Sequence, residues 1–485
     1  MTVASRLLIA PALAAAILRF DPVQPDALSA AGSFVNAWAD YDGDEDLDLF
    51  VGFNGQANRL YRNDAGTLVD DAAGAGIADR RATRAAAWGD FDADGDPDLL
   101  VGFAPGDEPV LRLYRNTAGR FLNIAGAAGL EVKTGGVRQP VWIDVDADGD
   151  LDLFVAFRDR ANALFRNDRG RFTDVAPGVG LADARRSVGA VWFDYDEDGD
   201  LDVYVGNMDG DANGLFRNDR GTFADLAGQA GLAWGGRPPD SASHGTVRPC
   251  AADVDGDGRF DLVTANYGPI GLFLNRGDGR FEDVSARWRI DVDAKHDTCA
   301  PADIDHDGLI DMYVNGTVTG GISYRDFLFR NAGGRFEEAT PQAIASLAAD
   351  HGAHWTDFDR DGDLDLSLTG AGTEPIPLLL RNALDPSVAR RSLAVRVLDR
   401  RGRATRAGAE VRLFAAGTRR VLGARIVDSG SGYDSQNDTA VHFGLATLDV
   451  VDVEVTFPAG GKRPITARRR VDPREYQGRA LVIRL

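Results

Sequence analysis

Along most of the chain, short apolar runs alternate with turns rich in Asp and Gly. One stretch reads AVWFDYDEDGDLDVYVGN, then GLFRND, then TFADLA. The runs are short and enriched in β-branched and aromatic residues, which predicts strands rather than helices. The first run of a unit often carries a tryptophan two residues ahead of an aspartate: Trp38, Trp88, Trp142, Trp192 and Trp355. The second run reads LDLFVGF or LDVYVGN. The third, LYRN or LFRN, ends at Asn63, Asn116, Asn167, Asn218, Asn275, Asn331 and Asn382. A turn leads to a fourth, GRFTDVA or GRFEDVS. Four short strands per roughly 50 residues is the pattern of a propeller blade. Residues 386–485 alternate apolar and polar positions in LAVRVLD, EVRLF and DVEVTF, which predicts an antiparallel β-sandwich.

The turns carry the clearest repeat. Asp-x-Asp-x-Asp-Gly-x-x-Asp occurs seven times, starting at Asp40, Asp90, Asp144, Asp194, Asp253, Asp303 and Asp357. The sixth position is Gly in all but the first, which has Glu45. Seven loops predict seven blades over residues 19–383, with the sandwich over 386–485. The seventh unit stops after Leu378–Asn382 without its fourth strand, and RFDPV at Arg19–Val23 follows directly on the apolar run that ends at Leu18. That N-terminal strand is expected to complete the seventh blade and close the ring, leaving only short sheet edges.

Carboxylates at positions 1, 3, 5 and 9 of a nine-residue loop converge on one point. They are Asp40, Asp42, Asp44 and Asp48; Asp90, Asp92, Asp94 and Asp98; Asp144, Asp146, Asp148 and Asp152; Asp194, Asp196, Asp198 and Asp202; Asp253, Asp255, Asp257 and Asp261; Asp303, Asp305, Asp307 and Asp311; Asp357, Asp359, Asp361 and Asp365. Packed this tightly, they repel one another unless a cation sits among them. Hard oxygen ligands on a flexible loop suit Ca²⁺ better than the tighter octahedron of Mg²⁺. The glycine allows the sharp turn, and the position-7 carbonyl offers a further oxygen; Arg259 and Leu309 at that position cost no direct ligand. Strands flank the loops and no glutamate stands at position 12, so the expected role is structural, with about seven Ca²⁺ per chain.

Net charge is −22 over 485 residues, divided into −31 before residue 386 and +9 after it. An acidic body with a basic C-terminal part marks a boundary and argues against nucleic acid as a partner. Residues Leu7–Leu18, LLIAPALAAAIL after Arg6, are too short to span a bilayer. Residues 1–18 read as a signal peptide, with a short apolar helix or strand as the alternative. Loops built for millimolar calcium favour export to the periplasm or the extracellular space over the cytoplasm.

These loops resemble the FG-GAP/VCBS repeats of integrin-α-like and bacterial secreted propellers. GAEVRLF (Gly408–Phe414), SGSGYDSQND (Ser429–Asp438), VHFGLA (Val441–Ala446) and VEVTFPAGG (Val453–Gly461) resemble the ASPIC/UnbV domain that follows such propellers in the cartilage acidic protein-like family. One departure is Phe457-Pro458, where that family often has Trp-Pro. The resemblance implies a calcium-stabilised, extracytoplasmic binding or adhesion protein, and its natural-product relatives keep a biosynthetic enzyme open as the alternative.

Candidate active groups are fewer. His244, His296, His351 and His354 lie just ahead of or within strands predicted to line the channel, and Arg84, Arg138, Arg185 and Arg186 take comparable places in other units. Such a ring suits an anion or a transition metal, although no His-x-His zinc spacing is present. The competing reading is polar channel lining and core histidine. His351 and His354 are expected to point to opposite faces of their strand. Cys250 and Cys299 share a strand position in adjacent units: reduced, buried thiols are the default expectation, and a disulfide the alternative on export. The Ser429–Asp438 run reads either as a contact loop or as a turn packed on its own sheet. Arg276-Gly277-Asp278 falls in a repeat slot and carries no weight as an adhesion tripeptide. No nucleophile elbow, Walker loop or dinucleotide fingerprint occurs. Two functions follow: a binding protein that holds a protein or carbohydrate partner on a propeller face, or an enzyme with a pocket at the channel mouth or domain interface.

Overall fold

The computed structural model describes residues 18–236, 238, 243–277, 279–347, 351–370 and 372–485, and is nearly all β. The apolar leader, except Leu18, lies outside the described residues. Each repeat forms a group of four antiparallel strands. In the first, Ser33–Ala39, Asp48–Phe53, Arg59–Asp64 and Thr67–Asp70 pair in order. The first strand is buried along its whole length, whereas the fourth buries only Leu68. A strand covered on both faces is buried along its length, with Ser33 and Asn36 as its polar exceptions, while an edge strand alternates. The equivalent first strands are Thr83–Gly89, Val137–Ile143, Ser187–Phe193, Gly245–Ala252, Asp293–Ala302 and Gly352–Thr356. Each packs beside the next and the last packs beside the first, so the groups close into a propeller-like ring.

Closure uses the expected strand. Phe20–Pro22 pairs antiparallel with Leu379–Asn382, Phe20 opposite Asn382 and Pro22 opposite Leu380. The third-strand asparagines staple neighbouring units together. Asn331 Nδ2 donates to Ile310 O in its own unit and to Val254 O in the preceding one, and Asn63 reaches across the closure to Phe358 O at 2.8 Å. The fourth strand is shorter than its sequence pattern implied. Its last residues coil into one helical turn, as at Ala72–Ala75 and Ala125–Ala128, ended by Gly76 and Gly129 in the left-handed region.

The C-terminal part forms two sheets. Val421–Ile426, Glu410–Ala415, Val451–Thr456 and Ile465–Val471 make an antiparallel sheet of four. Val441–Gly444, Ser392–Leu398 and Leu481–Arg484 make a sheet of three. The last two strands of that sheet run parallel, which corrects the expectation of a wholly antiparallel sandwich. The terminal strand enters after a long crossover, and a crossover connection is what parallel pairing requires. One apolar cluster runs from Val141, Trp192 and Leu201 of the ring into Leu393, Val411, Val453 and Ile483 of these sheets. The short helix Pro386–Ala389 opens this part, capped by the Asp385 carboxylate.

The Ser429–Asp438 run does not pack on its own sheet. It enters the ring channel, where Ser435–Gln436 pairs in parallel with Ala86–Ala87 of the second unit. Asp438 N donates to Trp38 O at 2.9 Å, and Trp192 N to Ser429 O at 3.2 Å.

Candidate functional site

The aspartate loops join the first and second strands at one end of the ring. Two positions take left-handed backbone. Position 6 is Gly95, Gly149, Gly199, Gly258, Gly308 or Gly362, and position 4 is a residue such as Ala93, Glu197 or His306. Glu45, the exception at position 6, is held at φ 74°. The position-1 carboxylate accepts the position-6 N–H, as in Gly308 N to Asp303 at 2.9 Å. The position-5 carboxylate accepts the position-7 N–H, as in Asp96 N to Asp94 at 3.0 Å.

Position 9 also fastens backbone. Asp98 accepts from Phe91 N at 3.2 Å and Asn116 N at 2.8 Å, tying the loop to the third strand. Its counterparts Asp48, Asp152, Asp202, Asp261 and Asp311 accept the matching pair of backbone donors. This fastening role was not legible in the spacing, which marks a carboxylate but not what its lone pairs meet.

The donor set fits a hard cation. Positions 1, 3 and 9 of the first, fourth and fifth loops, and positions 1, 3 and 5 of the second and third, bring carboxylate oxygens within 4.8 Å of one another. Buried oxygens of Asp90, Asp92, Asp194, Asp253, Asp357 and Asp359 have no hydrogen-bond partner. Burial, then repulsion between neighbouring aspartates, pushes Asp90 up to about 7. Burial likewise raises Asp98 to about 9, against the pull of its backbone donor. Without a cation these groups prefer to hold protons.

The basic C-terminal sheets sit on this face. Arg406 bonds Asp144 at 2.8 Å, and Arg463 bridges Asp194 and Glu410. Arg412 donates to Gly258 O at 2.8 Å, and Gly461 N to Asp200 at 2.8 Å. Thus the +9 part lands on the loops that carry the excess acid.

Within the channel, Gln436 bonds both the N–H and the carbonyl of Trp142, and Asn437 Oδ1 accepts from Trp38 N at 2.8 Å. His354 is buried against this loop, its Nε2 2.8 Å from Ser435 Oγ and its Nδ1 2.9 Å from Asn437 Nδ2. Burial lowers its pKa to about 4. His351 reaches the loop tip elsewhere. It stacks between Phe34 and Tyr433 at 5.2 and 5.1 Å and bonds Asp297. His296 is buried edge-on to Phe327, and burial takes it to about 4. His244 stands apart, just ahead of the fifth unit's first strand.

The four histidines therefore do not form one site. The anion ring is also partial. Arg84 and Arg138 lie by Tyr433 and Asp434 without an ion pair among the described residues, whereas Arg185 pairs with Asp183 and Asp225, and Arg186 with Asp211. Arg248 is 1% exposed and donates to Gln139 and Ala190 O; it lies beside a break in strand register between Thr246 and Arg248.

The cysteines correct the default expectation of free thiols: Cys250 and Cys299 form a disulfide. Their strands are ring neighbours and the Cα atoms are 6.3 Å apart, within bridging range. Arg276 of the tripeptide pairs with Glu282 and Asp255, and Asp278 lies outside the described residues. No helix among the described residues is long and apolar enough to cross a membrane.

The FG-GAP-like repeat family matches residues 40–101, 144–205, 194–264 and 253–314, and the ASPIC and UnbV family matches residues 400–470. Mouse cartilage acidic protein 1 is 30% identical over 345 residues, 68% of this chain and 50% of that protein. Human cartilage acidic protein 1 is 33% identical over 270 residues, 51% of this chain and 37% of that protein. The chain thus spans half or less of these relatives. Among solved structures, an Agrocybe aegerita lectin that recognises non-reducing terminal N-acetylglucosamine aligns at TM-score 0.40 and 20% identity, covering 64% of this chain and 81% of the lectin. The extracellular domain of a B. thetaiotaomicron hybrid two-component system aligns at TM-score 0.48 and 10% identity, covering 93% of this chain and 55% of that one. Likeness at these scores carries no argument about function. Repeats, C-terminal domain and relatives together show an FG-GAP-repeat protein with a C-terminal ASPIC/UnbV domain, similar to cartilage acidic protein 1.

Proposed function

We propose that the protein is an exported, calcium-stabilised, seven-bladed propeller that holds a protein or glycan partner on one face, with blades over residues 19–383 and an ASPIC/UnbV domain over 386–485. The observation that carries this reading is the set of unpartnered buried aspartate oxygens at the loop centres. Position-1, -3 and -5 carboxylates and the position-7 carbonyl would hold Ca²⁺, with position 9 contributing where its backbone bonds leave lone pairs. At about 1 mM calcium and dissociation constants of about 0.1–1 mM, each site adds roughly 0.4–1.4 kcal/mol. The Cys250–Cys299 disulfide is independent support for an oxidising compartment.

The C-terminal domain covers the loop face, so the partner belongs on the other. There Phe34, Arg84, Arg138, His351 and Tyr433 surround the channel end. The hairpin carrying Val318 and Ile322, 48% and 55% exposed, projects from the same side. A catalytic role for His354 has one favourable observation, its place on a cavity wall; against it, both ring nitrogens are already engaged.

The test has two parts. Elemental analysis of dialysed protein is expected to give about one calcium per loop, and little or none overturns the metal reading. Glycan and extracellular-protein arrays are then probed with the full chain and with Arg84→Glu/Arg138→Glu. Binding that the double variant loses supports the face, and binding it keeps removes it.

A further inference from the structure

Five of the seven first strands carry tryptophan two residues before the loop; the fifth and sixth carry Ala251 and Pro301. All five indoles fill space at their seams, and three of them also bond the preceding unit. Trp88 Nε1 donates to Ala37 O at 3.2 Å, Trp142 to Ala87 O at 3.3 Å and Trp355 to Ala300 O at 3.0 Å. Where two consecutive indoles are missing, a cavity of about 750 Å³ opens between the ring and the C-terminal sheets. Ala251, Pro301, the Cys250–Cys299 disulfide, Trp355 and Ile426 give it apolar walls. Its volume falls within the range of small-molecule sites.

The wall carries charge of both signs, with Arg360, Arg396, Arg425 and Arg479 beside Asp40, Glu45, Asp357 and Asp428. Arg425 comes from the C-terminal strand Val421–Ile426. Its guanidinium donates to His442 O and Ala424 O, each at 3.0 Å, and lies 4.8 Å from the centre of the Phe443 ring. Among the described residues it forms no ion pair. Asp253 and Asp303, both loop residues, are the carboxylates whose charge it feels. A calcium ion in either loop would claim that charge and leave the guanidinium uncompensated. Of the other wall arginines, Arg396 is paired with Asp438 at 2.8 Å and Arg360 with Asp46 at 3.0 Å, while Arg479 is exposed and donates to Glu475 O.

We propose that this cavity binds an amphipathic organic acid, its apolar body over Ala251 and Pro301 and its carboxylate on Arg425. A carboxylate accepting charge-assisted bonds in a partly dry site gains more than a neutral hydroxyl would there.

Calorimetric titration of the calcium-loaded full chain with naphthoate, and with naphthalenemethanol as its neutral counterpart, tests this. Naphthoate is expected to bind once per chain, at least about ten-fold more tightly than the alcohol. Arg425→Gln should abolish that preference. Pro301→Trp and the milder Ala251→Leu should weaken both ligands by refilling the space, at unchanged or higher melting temperature. Equal affinity for acid and alcohol, a preference that survives Arg425→Gln, or no saturable binding of either overturns the proposal. If Pro301→Trp fails to fold, Ala251→Leu still decides: undiminished binding in that variant moves the site elsewhere.

Discussion

The channel loop offers the sharpest test of the structure, through Gln436. This side chain is 2% exposed. Its Oε1 accepts from Trp142 N at 2.6 Å, and its Nε2 donates to Trp142 O and Asp428 O, both at 3.0 Å. Gln436→Ala removes all three bonds and strands the buried N–H and carbonyl of Trp142 inside the ring. At roughly 1–3 kcal/mol for each of the two stranded groups, the expected loss is about 2–6 kcal/mol. Gln436→Glu keeps an acceptor for the N–H but turns an oxygen toward the Trp142 carbonyl, so it should cost at least as much. Urea unfolding of the calcium-loaded protein, followed by tryptophan fluorescence and by far-ultraviolet circular dichroism, reads the effect. All seven tryptophans lie ahead of residue 386, so fluorescence reports the ring and dichroism the whole chain. A lowered midpoint at unchanged slope is expected. A loss below about 0.5 kcal/mol, the range of ordinary surface changes, would refute the seating of this loop in the channel.

Three further outcomes are expected. Glu45→Gly relieves the left-handed strain at φ 74° and should stabilise by about 1 kcal/mol, read as a higher midpoint of denaturation; a destabilised variant would show that the Glu45 side chain contributes more than its backbone costs. Replacing both Cys250 and Cys299 with serine opens a bridge spanning 49 residues and should cost about 2–4 kcal/mol, with wild type falling to the same value under reductant. In calcium-free buffer, burial holds Asp48, Asp98 and Asp152 at about 8, 9 and 8, above the ordinary 3.8. The folded state then binds protons more tightly than the unfolded state. Stability is fully present below pH 4 as far as these groups decide it, and is lost as pH rises toward 8–9. Thermal scans across that range should show the decline in chelator and its suppression by calcium.

Much of the ring was readable in the chain because its causes are local and repeated. The period, the Trp–Asp spacing and the Asn at the end of each third strand recur, and each repeat faces the same neighbours. The missing fourth strand of the last unit identified Phe20–Pro22 as its partner through the same regularity. Motif spacing also placed the clustered carboxylates, since four aspartates this close repel one another wherever the loop is folded.

What departs from the repeat was decided only in three dimensions. Ala251 and Pro301 stand where five other units carry tryptophan, and only the sheets above them turn that difference into a cavity. Ser429–Asp438 read as either a contact loop or a turn on its own sheet, and its hydrogen-bond partners lie some 240 to 400 residues away in sequence, on Trp38, Trp142 and Trp192. Histidines grouped by sequence were dispersed by the ring, because neighbouring positions on one strand face different surroundings. Local spacing determines which groups can act together within one loop or strand. Which distant backbone donors a loop satisfies, and which space goes unfilled, depends on how separate units close on one another, and only the tertiary structure sets that.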